Sequence, residues 1–177
     1  MCGIAGYIAT SDAGVSAELI QRMTDAVAHR GPDGSGTWLS GKVALGHRRL
    51  SILDLSDLGH QPMVDAESGC VISYNGEIYN YLELREQLIE RGYRFVSGTD
   101  TEVILKAYDC WGQSCVGRFN GMWAFAIHDP RHDIVFCSWD RFGVKPFYFV
   151  EPAGGFAFGS EIRQLLPLLA RPEADAG

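Results

Sequence analysis

The chain is 177 residues long, 46% hydrophobic and 21% charged, ordinary values for a globular protein large enough to bury a core without disulfide staples. Its net charge of −7 and isoelectric point near 5.1 argue against a nucleic-acid or anionic-membrane surface. The five cysteines are odd in number and show no CxxC pairing, which favours reduced thiols in a cytoplasmic setting over a secreted framework or a zinc site. No apolar run reaches the roughly 18 residues of a membrane span, and no basic stretch precedes residues 4–9 to make a signal segment.

The chain opens on Met1-Cys2-Gly3. A Cys at position 2 is small enough for the initiator Met to be trimmed, which would place a thiol and a free α-amine on one terminal residue. The thiolate is the reactive form, and an α-amine titrates near ~7.7 to 8.0, so such a terminus can supply its own activating base. On that residue alone, an accidental Cys explains the sequence as well.

Residues 4–9 predict a strand, and Leu19, Ile20, Met23 and Val27 recur at helical spacing. That helix ends before the turn signal Arg30-Gly31-Pro32-Asp33-Gly34. A strand pair is predicted over 36–40 and 42–52, then a polar surface loop over 54–69. A strand over 70–74 is expected to break at Asn75-Gly76, a dipeptide typical of tight turns. Asn80 would cap a helix to about Arg91, with Gly92 past its end, and 93–96 returns as a strand. Thr99 and Glu102 have capping-box spacing for a helix over 103–111. A hairpin over 122–128 and 134–139 follows, then short strands at 146–150 and 155–158, and a last helix over 161–169 capped by Ser160. Strands arriving in hairpins, interleaved with about four helices, predict an α+β fold of antiparallel sheets covered by helices.

Three clusters carry candidate chemistry. Asn75 and the N–H of Gly76 can converge as an oxyanion hole; the alternative is a plain turn. Arg48 and Arg49 fall on opposite faces of their strand, so one turns inward, where it needs a carboxylate or forms a structural salt bridge. Asp100 and Glu102 sit at a helix start, serving its dipole or facing a ligand cation. The loops at 30–34 and 140–146 read as scaffolding. His128 and His132 are four apart, but Asp129-Pro130 between them removes the helix that would make this a metal site. No phosphate-binding glycine loop is present, and Cys70, Cys110, Cys115 and Cys137 read as buried small hydrophobes.

Taken together, Cys2-Gly-Ile-Ala-Gly6, His29-Arg-Gly-Pro-Asp33, His47-Arg-Arg-Leu-Ser-Ile52, Tyr74-Asn-Gly-Glu-Ile-Tyr-Asn80, Gly98-Thr-Asp-Thr-Glu102 and Asp140-Arg-Phe-Gly-Val-Lys-Pro146 resemble the class II glutamine amidotransferases. The nearest resemblance is to the glutaminase domain of glutamine-hydrolysing asparagine synthetase. It implies an N-terminal-nucleophile hydrolase fold, a four-layer αββα sandwich, over residues 2–169, with 170–177 a polar tail or the start of a linker. By matching position it implies Cys2 as nucleophile and base, and Asn75 and Gly76 as the oxyanion hole. Arg49 would bind the α-carboxylate of glutamine, Glu77 and Asp100 its α-ammonium, and the carbonyls of Leu50 and Ile52 the amide. No metal or cofactor is expected in this domain. ATP and Mg²⁺ would serve only a synthetase domain, in cis or in trans, whose Ser-Gly-Gly-x-Asp-Ser loop is absent from these residues. A class II domain serving another ammonia acceptor, an idle domain of the same fold, and a homodimer stay open.

Overall fold

The computed structural model describes residues 1–11, 15–51 and 57–169. In chain order the elements are β1 (Gly3–Ala9), α1 (Ala17–Asp25), β2 (Gly34–Ser40), β3 (Val43–Arg49), β4 (Met63–Val64), β5 (Val71–Ile78), α2 (Tyr81–Ile89), α3 (Asp100–Trp111), β6 (Gly121–Asp129), β7 (Ile134–Trp139), β8 (Tyr148–Val150) and β9 (Gly155–Gly159). They form two antiparallel sheets, one ordered β2-β3-β1-β9-β8 and the other β4-β5-β6-β7.

Three apolar interfaces stack four layers. Between the sheets, Ile4, Val43, Leu45 and Phe158 of the first meet Val71, Ala124 and Ala126 of the second. The alternate residues of the second sheet, among them Ile72, Tyr74, Phe125 and Ile127, face outward onto Leu84, Leu88, Ile104 and Tyr108 of α2 and α3. On the outer face of the first sheet, Ala5, Ala44 and Ala157 lie under Ile20 and Met23 of α1. Small residues there let the helix sit close: a Cβ on Gly46 would come 2.0 Å from Thr24 Oγ1. Period-2 alternation thus feeds two apolar layers from each sheet, and the expected αββα sandwich is what forms. No helix among the described residues is long and apolar enough to cross a membrane.

The structure departs from the sequence expectations in several places. β5 does not break at Asn75-Gly76. Both residues stay in register with β6, opposite Ala124 and Trp123, so sheet pairing overrides the turn tendency of the dipeptide. Gly76 is required there because a Cβ would stand 2.3 Å from the Met122 carbonyl. Residues 93–96 form no strand. The Glu102 carboxylate instead accepts the N–H groups of Val96 (2.9 Å) and Ser97 (2.7 Å), which ties this segment to α3. Only half of the predicted capping box therefore exists, the Thr99 hydroxyl accepting the N–H of Glu102 at 3.2 Å.

The last helix is replaced by two single 3₁₀ turns, Ile162–Gln164 and Leu166–Leu168, since Pro167 has no N–H to continue a ladder. Ser160 does not cap it; its hydroxyl accepts the N–H of Ile4 at 2.9 Å, and Glu161 takes the cap position. Lastly, the loop expected over 54–69 contains the short strand β4. The tail 170–177 lies outside the described residues.

Candidate active site

The N-terminus leads directly into β1, the central strand of the five-stranded sheet. Arg30 Nε donates to the Cys2 carbonyl at 2.9 Å, and Arg30 Nη1 bonds the Glu161 carboxylate at 3.2 Å, so an ion pair anchors the main chain beside the thiol. The half-buried Cys2 Sγ accepts the N–H of Leu50 at 3.3 Å and stands 3.6 Å from the Leu50 carbonyl.

Leu50 follows the end of β3, and the 30–34 turn fixes it there. Asp33 donates its N–H to the Arg49 carbonyl at 3.0 Å and accepts that of Ser51 at 2.8 Å. Gly31 passes so close that a Cβ would meet the Arg48 carbonyl at 2.5 Å. The turn holds the strand end that faces the thiol, a role its charged residues did not announce. The two arginines separate as alternation requires. Arg48 pairs with Asp25 on α1 and reaches the Thr24 carbonyl at 3.3 Å. Arg49 enters the cavity, where Gly59 lies against its guanidinium. His47, the first residue of that motif, is a core group beside Ser73 Oγ at 3.4 Å. Burial, then the nearby His60 and Arg49, push it down to about 3, so it stays neutral.

β5 and α3 form the opposite wall. Asp100, 4% exposed, accepts the Tyr74 hydroxyl at 2.7 Å and the Ile78 N–H at 3.0 Å through Oδ2. Burial raises its carboxyl above the ordinary range, and the two donors oppose that rise without cancelling it. Tyr74 is itself pushed well up by burial and by that carboxylate, and remains a donor. Gln61 bridges the elements, accepting the Tyr74 N–H at 2.7 Å and donating to Thr101 Oγ1 at 3.4 Å. Asn75 is 2% exposed, and its Nδ2 has no hydrogen-bond partner among the described residues. A buried amide donor without an acceptor costs about 1–3 kcal/mol, so this one is poised for a ligand oxygen.

These walls enclose a cavity of about 120 Å³ lined by Cys2, Arg49, Leu50, Asn75, Gly76, Glu77 and Asp100. Every sequence-predicted site residue is thus brought together except Ile52, which lies outside the described residues. Gly59, Gln61, Tyr74 and Lys145 also line it. Gln61 and Gly59 sat in a stretch that reads as featureless loop, and Tyr74 read as a core strand residue. Lys145 had one signal, an Asp140-x-x-Gly-x-Lys loop that is tightly built. Asp140 accepts the N–H groups of Trp123, Phe142, Val144 and Lys145. Burial would raise its carboxyl, but these four donors outweigh that and hold it below the usual range.

The profile of the glutamine amidotransferase domain family matches residues 1–176 of the chain. The chain belongs to that family. This amidotransferase domain is 46% identical over 184 aligned residues to asparagine synthetase (glutamine-hydrolysing) 2 of Methanocaldococcus jannaschii, covering 94% of the domain and 35% of that protein. It is 41% identical over 179 residues to asparagine synthetase (glutamine-hydrolysing) 3 of Bacillus subtilis, covering 99% of the domain and 28% of that protein. The domain therefore spans about a third of the length of these relatives. Among solved structures it resembles glutamine phosphoribosylpyrophosphate amidotransferase from B. subtilis, with a TM-score of 0.77 at 19% identity, over 93% of the domain and 43% of that chain. At that identity the likeness bears on the fold alone, here two antiparallel sheets between helical layers.

Proposed function

We propose that this domain hydrolyses the side-chain amide of glutamine to glutamate and ammonia, with Cys2 as nucleophile once Met1 is removed. The observation that carries the reading is the buried Asn75 Nδ2, without a hydrogen-bond partner among the described residues, in the same cavity as the Cys2 thiol. A nucleophile and an unspent donor in one pocket are the two requirements of acyl transfer.

Glutamine enters as a zwitterion. Arg49 pairs with its α-carboxylate, and Glu77 and Asp100 with its α-ammonium. Leu50 offers its backbone carbonyl to the amide N–H groups. The Cys2 α-amine takes the thiol proton, and the thiolate attacks the amide carbon. Asn75 Nδ2 and the Gly76 N–H receive the oxygen as it becomes negative. The carbon–nitrogen bond breaks, the departing nitrogen takes the proton from the Cys2 ammonium, and a γ-glutamyl thioester remains. Water, deprotonated by the same amine, then cleaves the carbon–sulfur bond and releases glutamate.

The ammonia serves an ATP- and Mg²⁺-dependent synthetase step making asparagine from aspartate, carried out by a synthetase domain outside these residues. The names and lengths of the relatives support that assignment. All five cysteines are free, in keeping with work in the reducing cytoplasm. Asn75→Ala tests the reading: kcat for glutamate release should fall about 10²- to 10³-fold with KM little changed. An unchanged kcat would remove Asn75 from the oxyanion site.

A further inference from the structure

Lys145 is the charged residue lining this cavity that the mechanism above does not use. It is 7% exposed, and the Asp140 loop fixes its backbone, Lys145 N donating to Asp140 Oδ2 at 3.0 Å. Its side chain runs to the N-terminus, where Nζ meets Met1 Sδ at 3.5 Å. A buried ammonium ordinarily needs an oxygen partner. Among the described residues Lys145 Nζ has only that sulfur.

The nearby carboxylates are otherwise engaged. Asp140 is spent on four backbone N–H groups, Asp100 on Tyr74 and Ile78, and Glu161 on His29, Arg30 and Arg163. The remaining titratable groups on the cavity wall are Arg49 from β3, Glu77 and Tyr74 from β5, the Cys2 thiol, and the Met1 α-amine that trimming would remove. Arg49 and Lys145 balance Glu77 and Asp100 in formal charge. With Arg49 matched to a carboxylate and both acids to an ammonium, the wall would carry an excess negative charge were it not for Lys145. That charge would favour the protonated Cys2 amine and oppose both the thiolate and the oxyanion.

We propose that Lys145 is a positioning residue of the glutamine site, whose ammonium, freed from Met1 by trimming, faces the Cys2 terminus and keeps the α-amine in its free-base, proton-accepting form. This rests on the glutaminase reading. The cation acts by repelling a proton from the amine and by attracting the thiolate, so its loss shifts both in one direction. A purely structural lysine would instead change the yield of folded protein and lower the rate equally at every pH.

The test compares trimmed wild type with Lys145→Met, Lys145→Gln and Lys145→Arg, each checked for folding by its thermal transition. In the neutral variants the acid limb of kcat/KM for glutamate release should move to higher pH. Release at pH 6.5 should then fall about three- to tenfold, with the alkaline plateau within about twofold of wild type. Alkylation of Cys2 by uncharged iodoacetamide at the same pH should slow by a similar factor, and Lys145→Arg should follow wild type in both assays. Superimposable profiles and alkylation rates for the neutral variants overturn the proposal. So does a Lys145→Arg profile whose acid limb lies above that of wild type by the shift expected of the neutral variants, a comparison with wild type alone that decides the matter even where those variants do not fold. Should trimmed wild type release no glutamate at all, the glutaminase reading fails, and the alkylation comparison still decides the role of Lys145.

Discussion

Gly59 gives a sharp way to disturb substrate binding without disturbing the fold. A Cβ at that position would stand 2.1 Å from Arg49 Nη2 and 2.9 Å from Cζ, roughly 1.5 Å inside an ordinary non-bonded separation from the nearer atom. The atoms it meets are the far end of a long, flexible side chain, so the guanidinium should yield while β3 stays in place. A displacement above about 1 Å breaks a bidentate charge-assisted bond, which contributes about 1.5–3 kcal/mol, or roughly 10- to 150-fold in affinity. Steady-state glutamate release by Gly59→Ala should therefore show KM raised by that order with kcat reduced far less, and a melting temperature within about 3 °C of wild type. An unchanged KM would mean that Arg49 does not bind the substrate carboxylate. A collapse in melting temperature would mean that the residue near Gly59 that yields is not Arg49.

Two further predictions concern the titratable groups. Tyr74→Phe removes one of the two donors to Asp100 Oδ2, so the already raised Asp100 carboxyl should rise further; because glutamine's ammonium needs the ionised form, the acid limb of the pH profile of kcat/KM should move upward. The same carboxyl costs the fold stability above its folded pKa, and that cost disappears as pH falls through it. Lys106→Met strips the ammonium from buried Asp65 (2.7 Å) and from Glu67 (2.6 Å), which should cost about 3–5 kcal/mol in urea unfolding near neutral pH. Burial tends to raise Asp65, but its bonds to Lys106 and Ser68 outweigh that and hold it low. Its contribution is therefore present above the ordinary carboxylate range and lost as pH falls through the lowered value, so the gap between variant and wild type should narrow below about pH 4.

The layered fold was legible because strand alternation and hairpin order are local signals, and most of the catalytic set came with six motifs in register. What the sequence hid was decided by tertiary pairing. Asn75-Gly76 looks like a turn, yet the β6 backbone holds it extended, and that is what aims the Asn75 amide into the cavity. Glu102 looks like a capping-box residue but folds back on Val96 and Ser97. Strand alternation left open which of Arg48 and Arg49 turns inward; the family resemblance named Arg49, and the physical reason is that Arg48 pairs with Asp25 on α1, more than 20 positions earlier. Gln61 and Gly59 acquire their meaning only from residues far along the chain, so no local pattern marks them, whereas Lys145 falls in a recognisable loop whose charges read as scaffolding.

The central claim is that Cys2 attacks glutamine with its own α-amine as base, and the direct measurement is glutamate release by three forms of the protein. These are the form with Met1 removed, the same form carrying Cys2→Ala, and a form with an uncleaved N-terminal extension. Activity in the first alone is the result this account predicts. Comparable rates in all three would contradict it.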